Sequence, residues 1–355
     1  MNKVVFGIVG GGWRTEFYLR IARGLPDRFD ICGLVVRDLD KGKALEAKWG
    51  VRTYQTIEEL LEATNPTFMV VSVGWEAAPM FTSLLVERGI PVLSETPPAP
   101  DLSGLIELNK LTEKGGRIQV AEQYHLQPLH AARLNLANSG LLGEVSQAQV
   151  SVCHGYHAMS LIRRFLGLKF ENATITAHSF SSPLLQNPER QGSEMKHVNS
   201  KQIISLLDFD GKLGLFDFTD DQYFSWVRAL RLTIRGEIGE IVDQQVRYLK
   251  EERLPIDIEL KRCNAGENGN LEGYFLKGIL AGDQWVYENP FIPGRLSDDE
   301  IAIASCLVKM DIYAKGGPDF YSLAEASQDH YLAMMMNRAA SNNEKVRTES
   351  QPWTY

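Results

Sequence analysis

The first third of the chain alternates short, almost wholly apolar runs with stretches whose apolar residues recur every three to four positions. Val4–Val9, Phe29–Val36, Phe68–Val73, Pro91–Ser94 and Arg117–Ala121 are brief, rich in β-branched residues and bounded by turn residues. Runs of that kind suit strands buried on both faces. The intervening segments Trp13–Arg23, Lys41–Trp49, Thr56–Ala63, Met80–Arg88 and Leu102–Gly115 carry a helical period. Thr56 with Glu59, and Asp101, supply helix-start chemistry. The alternation predicts an α/β domain over residues 1–122, a parallel sheet with helices on both faces.

Near residue 123 the pattern changes. One helix, Pro128–Ser139, precedes the strand-like runs Val145–Val152, Ala173–Phe180, Gln202–Leu207, Leu213–Phe218 and Ala229–Ile234. Asp210-Gly211 is hairpin punctuation between two of them. Successive strands without helices between them predict a large, mostly antiparallel sheet, hence a second domain of α+β type over residues 123–340. Segment 183–200, with Pro183, Asn187, Pro188 and Gly192, reads as a long surface loop. Helical patterns return at Asp298–Ala314 and Ser322–Ala340, and residues 341–355 read as a polar, frayed tail. A chain of 355 residues exceeds one ordinary core, which agrees with two domains.

Charge and cysteine usage narrow the class. A formal net charge of −8 argues against nucleic-acid or anionic-membrane partners, which require excess Lys and Arg. Cysteines 32, 153, 263 and 306 form no CxxC pair and no Cys/His cluster, so no metal site is expected and the thiols suit a reduced, cytoplasmic protein. The longest apolar stretch, Phe68–Val73, is far too short to span a membrane. Gly10–Gly12, Arg14 and Glu16 interrupt the N-terminal apolar run too early for an export signal.

Candidate chemistry begins where Val4–Val9 runs into Gly10-Gly11-Gly12-Trp13-Arg14-Thr15. Gly10 suits a tight turn, Gly12 lets backbone approach a pyrophosphate, and the next helix aims its N-terminal dipole at the anion. Thr15 replaces the third glycine of the G-x-G-x-x-G pattern with another small residue. The second strand ends Val35-Val36-Arg37-Asp38. Val36 occupies the position of the acidic residue that would bind NAD ribose, and Arg37 can pair with the 2′-phosphate of NADP. A one-residue slip would give Asp38 the ribose instead. NADP is slightly favoured over NAD.

The order of several motifs resembles the Gfo/Idh/MocA oxidoreductases across nearly the whole chain. They are the glycine loop, Gly89-Ile90-Pro91-Val92-Leu93-Ser94-Glu95-Thr96-Pro97, Val120-Ala121-Glu122-Gln123, Gly140-Leu141-Leu142-Gly143-Glu144-Val145, Gly155-Tyr156-His157 with Gly167, and Gly236-Glu237-Ile238-Gly239. The resemblance implies a Rossmann domain followed by a sheet domain, one face lining a substrate cleft and the other commonly joining subunits. It implies sugar- or cyclitol-like substrates and a homo-oligomer, dimer or tetramer. The family's catalytic lysine falls on Thr96 and the Asp of its Asp-x-x-x-His pair on Cys153, so both are replaced, while the His is kept as His157.

The expected function is hydride transfer between a nicotinamide cofactor and a polyol, with His157 as acid/base. Thr96, Tyr124, His125, His154 and Tyr156 are the candidate substrate contacts. Gly10, Gly12, Trp13, Arg14, Arg37, Val73, Trp75, Glu95 and Gln123 are the candidate cofactor contacts. The lost Lys and Asp also motivate two alternatives: a cofactor-binding sensor or partner subunit without turnover, and an enzyme that recycles its NAD while cleaving or epimerising a glycoside.

Overall fold

A computed structural model describes residues 3–187, 194–266 and 273–354. The first domain holds strands β1 (Val4–Val9), β2 (Phe29–Val35), β3 (Thr53–Tyr54), β4 (Phe68–Val71), β5 (Val92–Ser94) and β6 (Ile118–Val120). They form one parallel sheet in the order β3-β2-β1-β4-β5-β6. Helices α1 (Thr15–Gly24), α2 (Leu39–Trp49), α3 (Ile57–Ala63), α4 (Ala78–Glu87) and α5 (Leu102–Glu113) connect them. The chain turns back between β1 and β4, which opens a crevice beyond their carboxyl ends. Phe6, Ile8, Phe68 and Val70 are wholly buried, as expected of strands covered on both faces. The five expected strands and five helices are present; β3, two residues long, was too short to show periodicity.

The second sheet has eleven strands in the order β16-β15-β14-β13-β12-β11-β7-β10-β9-β8-β17. These are β7 (Val145–Ser151), β8 (Thr174–Gln186), β9 (Lys196–Asp208), β10 (Leu213–Thr219), β11 (Arg231–Gly236), β12 (Gly239–Val242), β13 (Gln245–Lys250), β14 (Leu254–Ala265), β15 (Phe275–Ala281), β16 (Gln284–Glu288) and β17 (Val346–Arg347). Only β7 and β10 run parallel; the other pairs are antiparallel. Helices α6 (Pro128–Asn138), α7 (Gly155–Leu166), α8 (Asp298–Ala314) and α9 (Leu323–Asn342) complete the chain.

Four features differ from the sequence reading. Segment 183–200 is largely not a loop. Pro183–Gln186 and Lys196–Ser200 extend a hairpin in which Pro183 faces Asn199, while Pro188 and Gly192 lie outside the described residues. One face of this extension is exposed and the other buries only Leu184 and Ser200, so no apolar alternation marks it. Strands β12–β16 were not read from the sequence either, although Leu254, Ile256, Ile258 and Leu260 of β14 alternate with Pro255, Asp257 and Glu259, and β15 is mostly buried. The stretch after β7 is a helix, α7, begun at His154 and closed by left-handed Gly167. The tail is not frayed: β17 pairs with β8, and the Trp353 indole donates to Gln328 at 3.1 Å in a buried site.

The two halves share cores. Ile301, Ala304, Leu307 and Met310 of α8 pack in the same cluster as Phe6, Ile8, Phe68 and Val70, so a helix from the end of the chain covers the first sheet. Helix α7 packs with β7, β10 and α9 in the core of the second. This arrangement sets the α8 N-terminus and the α7 N-terminus beside the crevice of the first sheet. No helix among the described residues is long and apolar enough to cross a membrane.

Candidate active site

A single cleft of about 1390 Å³ runs from the glycine loop to the first turn of α7. At one end, Gly10 has φ +126° and donates its N–H to Val35 O at 3.0 Å. A Cβ on Gly10 would lie 2.0 Å from the Ser72 carbonyl oxygen, so the close approach of β1 and β4 requires glycine. A Cβ on Gly12 would meet nothing within 4 Å, which leaves bare backbone facing the cleft. Thr15, at the third glycine position, is fully buried and its hydroxyl donates to Ser72 Oγ at 3.3 Å. The loop therefore fits a dinucleotide pyrophosphate at the start of α1.

Beyond the loop, Val36, Arg37 and Lys41 line the same end of the cleft. Asp38 caps α2: its Oδ1 accepts from Asp40 N and Lys41 N, both at 3.0 Å. Val73 and Gly74 also line the cleft, whereas Trp75 turns to solvent and does not. Trp13 lines the rim and is 74 % exposed, with the Arg14 guanidinium 5.4 Å from its ring centroid.

A buried polar knot separates the two ends. Glu95 Oε1 accepts from Tyr18 Oη at 2.5 Å and pairs with Arg14 Nε at 3.2 Å. The Gln123 amide, oriented by its neighbours, accepts from Arg14 Nη2 at 2.8 Å and donates to Ala121 O at 3.0 Å. Burial opposes the Arg14 charge, yet Glu95 outweighs it and holds the guanidinium firmly protonated. Thr96 follows at the cleft wall, joined to Pro97 by a cis peptide.

At the far end, His154 and His157 enter from α7 and Tyr124 from the turn after β6. His157 Nδ1 lies 2.5 Å from Glu122 Oε2, and Glu122 Oε1 accepts from Tyr124 N at 2.9 Å. Glu122 is fully buried and the His157 side chain is 7 % exposed. Tyr223 comes from the connection after β10. Its hydroxyl accepts from His154 N at 2.9 Å, sits 2.7 Å from His154 Nδ1 and accepts from Tyr124 Oη at 3.1 Å. Its own proton then goes to His154 Nδ1, so His154 is neutral. The solvent its ring loses in the cleft, and then the neighbouring His157, push the His154 pKa down to about 4. Burial raises the Tyr124 and Tyr223 phenols, and burial with the Glu122 charge raises the Cys153 thiol, so all three stay protonated.

Two expected substrate contacts do not reach the cleft. His125 is buried, stacked on Tyr321 with ring centroids 5.6 Å apart, because consecutive residues of a tight turn point in different directions. Tyr156 is buried between His157 and His330, about one hundred degrees round α7 from its neighbour. Glu122, Lys41, Tyr223, Asp220 and Asp299 were not singled out from sequence, though each lines the cleft or bonds a residue that does. For Glu122 a signal existed: a carboxylate directly after a buried strand. Tyr223 had none, being 69 residues from its partner His154. Among the described residues no group of three or more His, Cys, Asp or Glu could hold a metal.

Residues 4–133 match the GFO_IDH_MocA family model, described as an oxidoreductase family with an NAD-binding Rossmann fold. No curated protein sequence matches significantly. Solved structures of similar fold include an oxidoreductase from Agrobacterium radiobacter in complex with NAD+, L-tartaric acid and magnesium (17% identity, 97% of this chain and 98% of that one, TM-score 0.69). Another is an NAD binding oxidoreductase from Klebsiella pneumoniae (16%, 98% and 100%, 0.69). A third is the WlbA dehydrogenase from Bordetella pertussis with NADH and UDP-GlcNAcA (16%, 98% and 100%, 0.65). At these identities the likeness is one of fold, and it spans both sheets. Residues 4–133 thus match the NAD-binding Rossmann domain of that oxidoreductase family model, and the whole chain has the two-domain fold of these solved oxidoreductases.

Proposed function

We propose that the protein interconverts a carbinol and a carbonyl on a sugar- or cyclitol-like polyol, using a nicotinamide dinucleotide and His157 as acid/base. One observation carries the reading: the glycine loop and the His157 imidazole open on the same cleft. A bound oxidised dinucleotide would supply the acceptor for the hydrogen on the carbinol carbon. The chain's own residues do the rest. Backbone at Gly10 and Gly12 holds the pyrophosphate, while Val73, Glu95 and Gln123 shape the wall toward the nicotinamide. His157 takes the hydroxyl proton. Tyr124 and His154 orient substrate hydroxyls, and Thr96, in place of the family's lysine, hydrogen-bonds without moving a proton.

Elimination supports His157. His154 stays neutral well below neutral pH, and the Tyr124, Tyr223 and Cys153 protons are held by burial. His157 is the remaining imidazole lining the cleft, and imidazole is the side chain most often used for general acid–base work.

For the cofactor, Arg37 and Lys41 flank the end where a ribose would sit, and Asp38 is committed to capping α2. This favours NADP over NAD. At the substrate end, Asp220 lines the cleft, and Arg14, a cation of the cleft wall, is already paired with Glu95. That balance favours an uncharged polyol over a phosphorylated or carboxylated one. All four cysteines are free, in keeping with a reducing compartment. Phe180, Ile204 and Leu206, exposed on the outer face of β8 and β9, suit a homo-oligomer.

The test is a spectrophotometric screen of the purified protein with NADP+ or NAD+ and neutral polyols, myo-inositol and glucose first. Nicotinamide reduction that disappears in His157→Gln, with NADPH affinity retained, is expected. Unchanged turnover in that variant refutes the role of His157.

A further inference from the structure

We propose that Glu122 fixes which nitrogen of His157 carries the proton, and so makes the cleft-facing nitrogen a proton acceptor. The proposal rests on the acid/base reading of His157 and adds to it the group that replaces the missing Lys and Asp. Where the family's sequence pattern offers His an aspartate four residues earlier, this chain has Cys153, buried and uncharged. The carboxylate comes instead from the end of β6, 35 residues away.

The geometry holds both oxygens of Glu122. Oε1 accepts the Tyr124 backbone N–H at 2.9 Å, and Oε2 meets His157 Nδ1 at 2.5 Å. A carboxylate with no solvent contact needs such donors, so the proton of the neutral imidazole resides on Nδ1. Nε2, across the ring, keeps its lone pair on the cleft side. The ring cannot swing away, because Tyr124, Tyr156 and His154 stand against it at centroid distances of 4.5, 4.7 and 4.8 Å. In the forward direction the substrate O–H bond breaks and its proton forms a bond to Nε2. The O–H electron pair becomes the carbonyl π bond, and an oxidised nicotinamide bound in the cleft would take the carbinol hydrogen with its own pair. Glu122 keeps its contact to Nδ1 and stabilises the imidazolium, acting as a positioning residue that never touches substrate.

Glu122→Gln reverses the arrangement at nearly constant volume. The amide oxygen must take the Tyr124 N–H, which turns the NH2 toward His157 Nδ1. Nδ1 becomes the acceptor, and the proton is forced onto Nε2. Turnover then falls about 10³- to 10⁴-fold, the scale of a wrong tautomer beside a catalytic imidazole, with KM and NADPH affinity nearly unchanged.

The decisive measurement is nitrogen NMR of the full chain labelled at the imidazole nitrogens, with the His157 signals found by difference from His157→Gln. The expected wild-type spectrum shows protonated Nδ1 and bare Nε2 at neutral pH, and E122Q shows the reverse. A wild-type Nε2–H tautomer, or an unchanged tautomer in E122Q, overturns the proposal. Should E122Q not fold, the wild-type spectrum alone decides. The tautomer is read without substrate, so a protein that shows it but reduces no nicotinamide with any polyol refutes the oxidoreductase reading and leaves the Glu122 assignment intact.

Discussion

The two ends of the cleft are built by different means. The glycine-loop end uses backbone: a turn that only glycine permits and an open face at Gly12, both within a few residues of the strand that carries them. The His157 end uses side chains gathered from far apart, with bonds between residues 35, 69 and 99 positions separated. Backbone sites tolerate sequence drift because main-chain atoms do not change. Side-chain sites depend on which residues packing brings together, and here Glu122 sets a buried carboxylate against His157, beside the uncharged Cys153.

If that contrast holds, the most damaging substitution lies at the backbone end. Gly10→Ala forces both a left-handed φ and a 2.0 Å contact on Ser72, and should cost about 4 kcal/mol or more, seen as failure to fold or a collapse of Tm. Gly12→Ala is its control: Tm should hold while NADPH affinity drops, because the methyl enters open cleft. Equal loss of Tm in both would remove the distinction.

At the other end, His157→Gln should lower kcat about 10²- to 10⁴-fold in single-turnover kinetics while leaving Tm and cofactor affinity close to wild type. Acid should also separate the halves, since every histidine lies at or beyond His125. Burial lowers the pKa of His125 well below normal and that of His130 to about 3. The unfolded chain then binds more protons, so stability is full above about pH 6.5 and is lost as pH falls toward 3. At pH 5 the loss is about 2 kcal/mol per histidine, and amide exchange should accelerate first around α6 and the turn before it. Faster exchange in β1 and β4 instead would contradict this.

The smallest expected effect concerns the ribose end. Arg37→Ala should weaken NADPH about 10- to 100-fold and NADH little, as titration of protein fluorescence would show. Parallel losses for both cofactors would mean that Arg37 does not read a 2′-phosphate.

What the sequence by itself determined is whatever short-range rules govern. Apolar runs of buried strands, helix caps at Thr56, Asp101, Ser297 and Ser322, and the glycine loop are each decided within about ten residues. The polar tip of the β8–β9 hairpin left no apolar pattern to read, whereas the alternation of Leu254, Ile256, Ile258 and Leu260 in β14 was there and was passed over. Direction within an element was also beyond it: His125 and Tyr156 sit beside cleft residues in sequence yet point away, because a turn or a helix rotates each successive side chain. Only the tertiary structure decided the partners. It brought Glu122 to His157, Tyr223 to His154, and α8 onto the first sheet, since packing fixes distances between residues that the chain's local physics leaves independent.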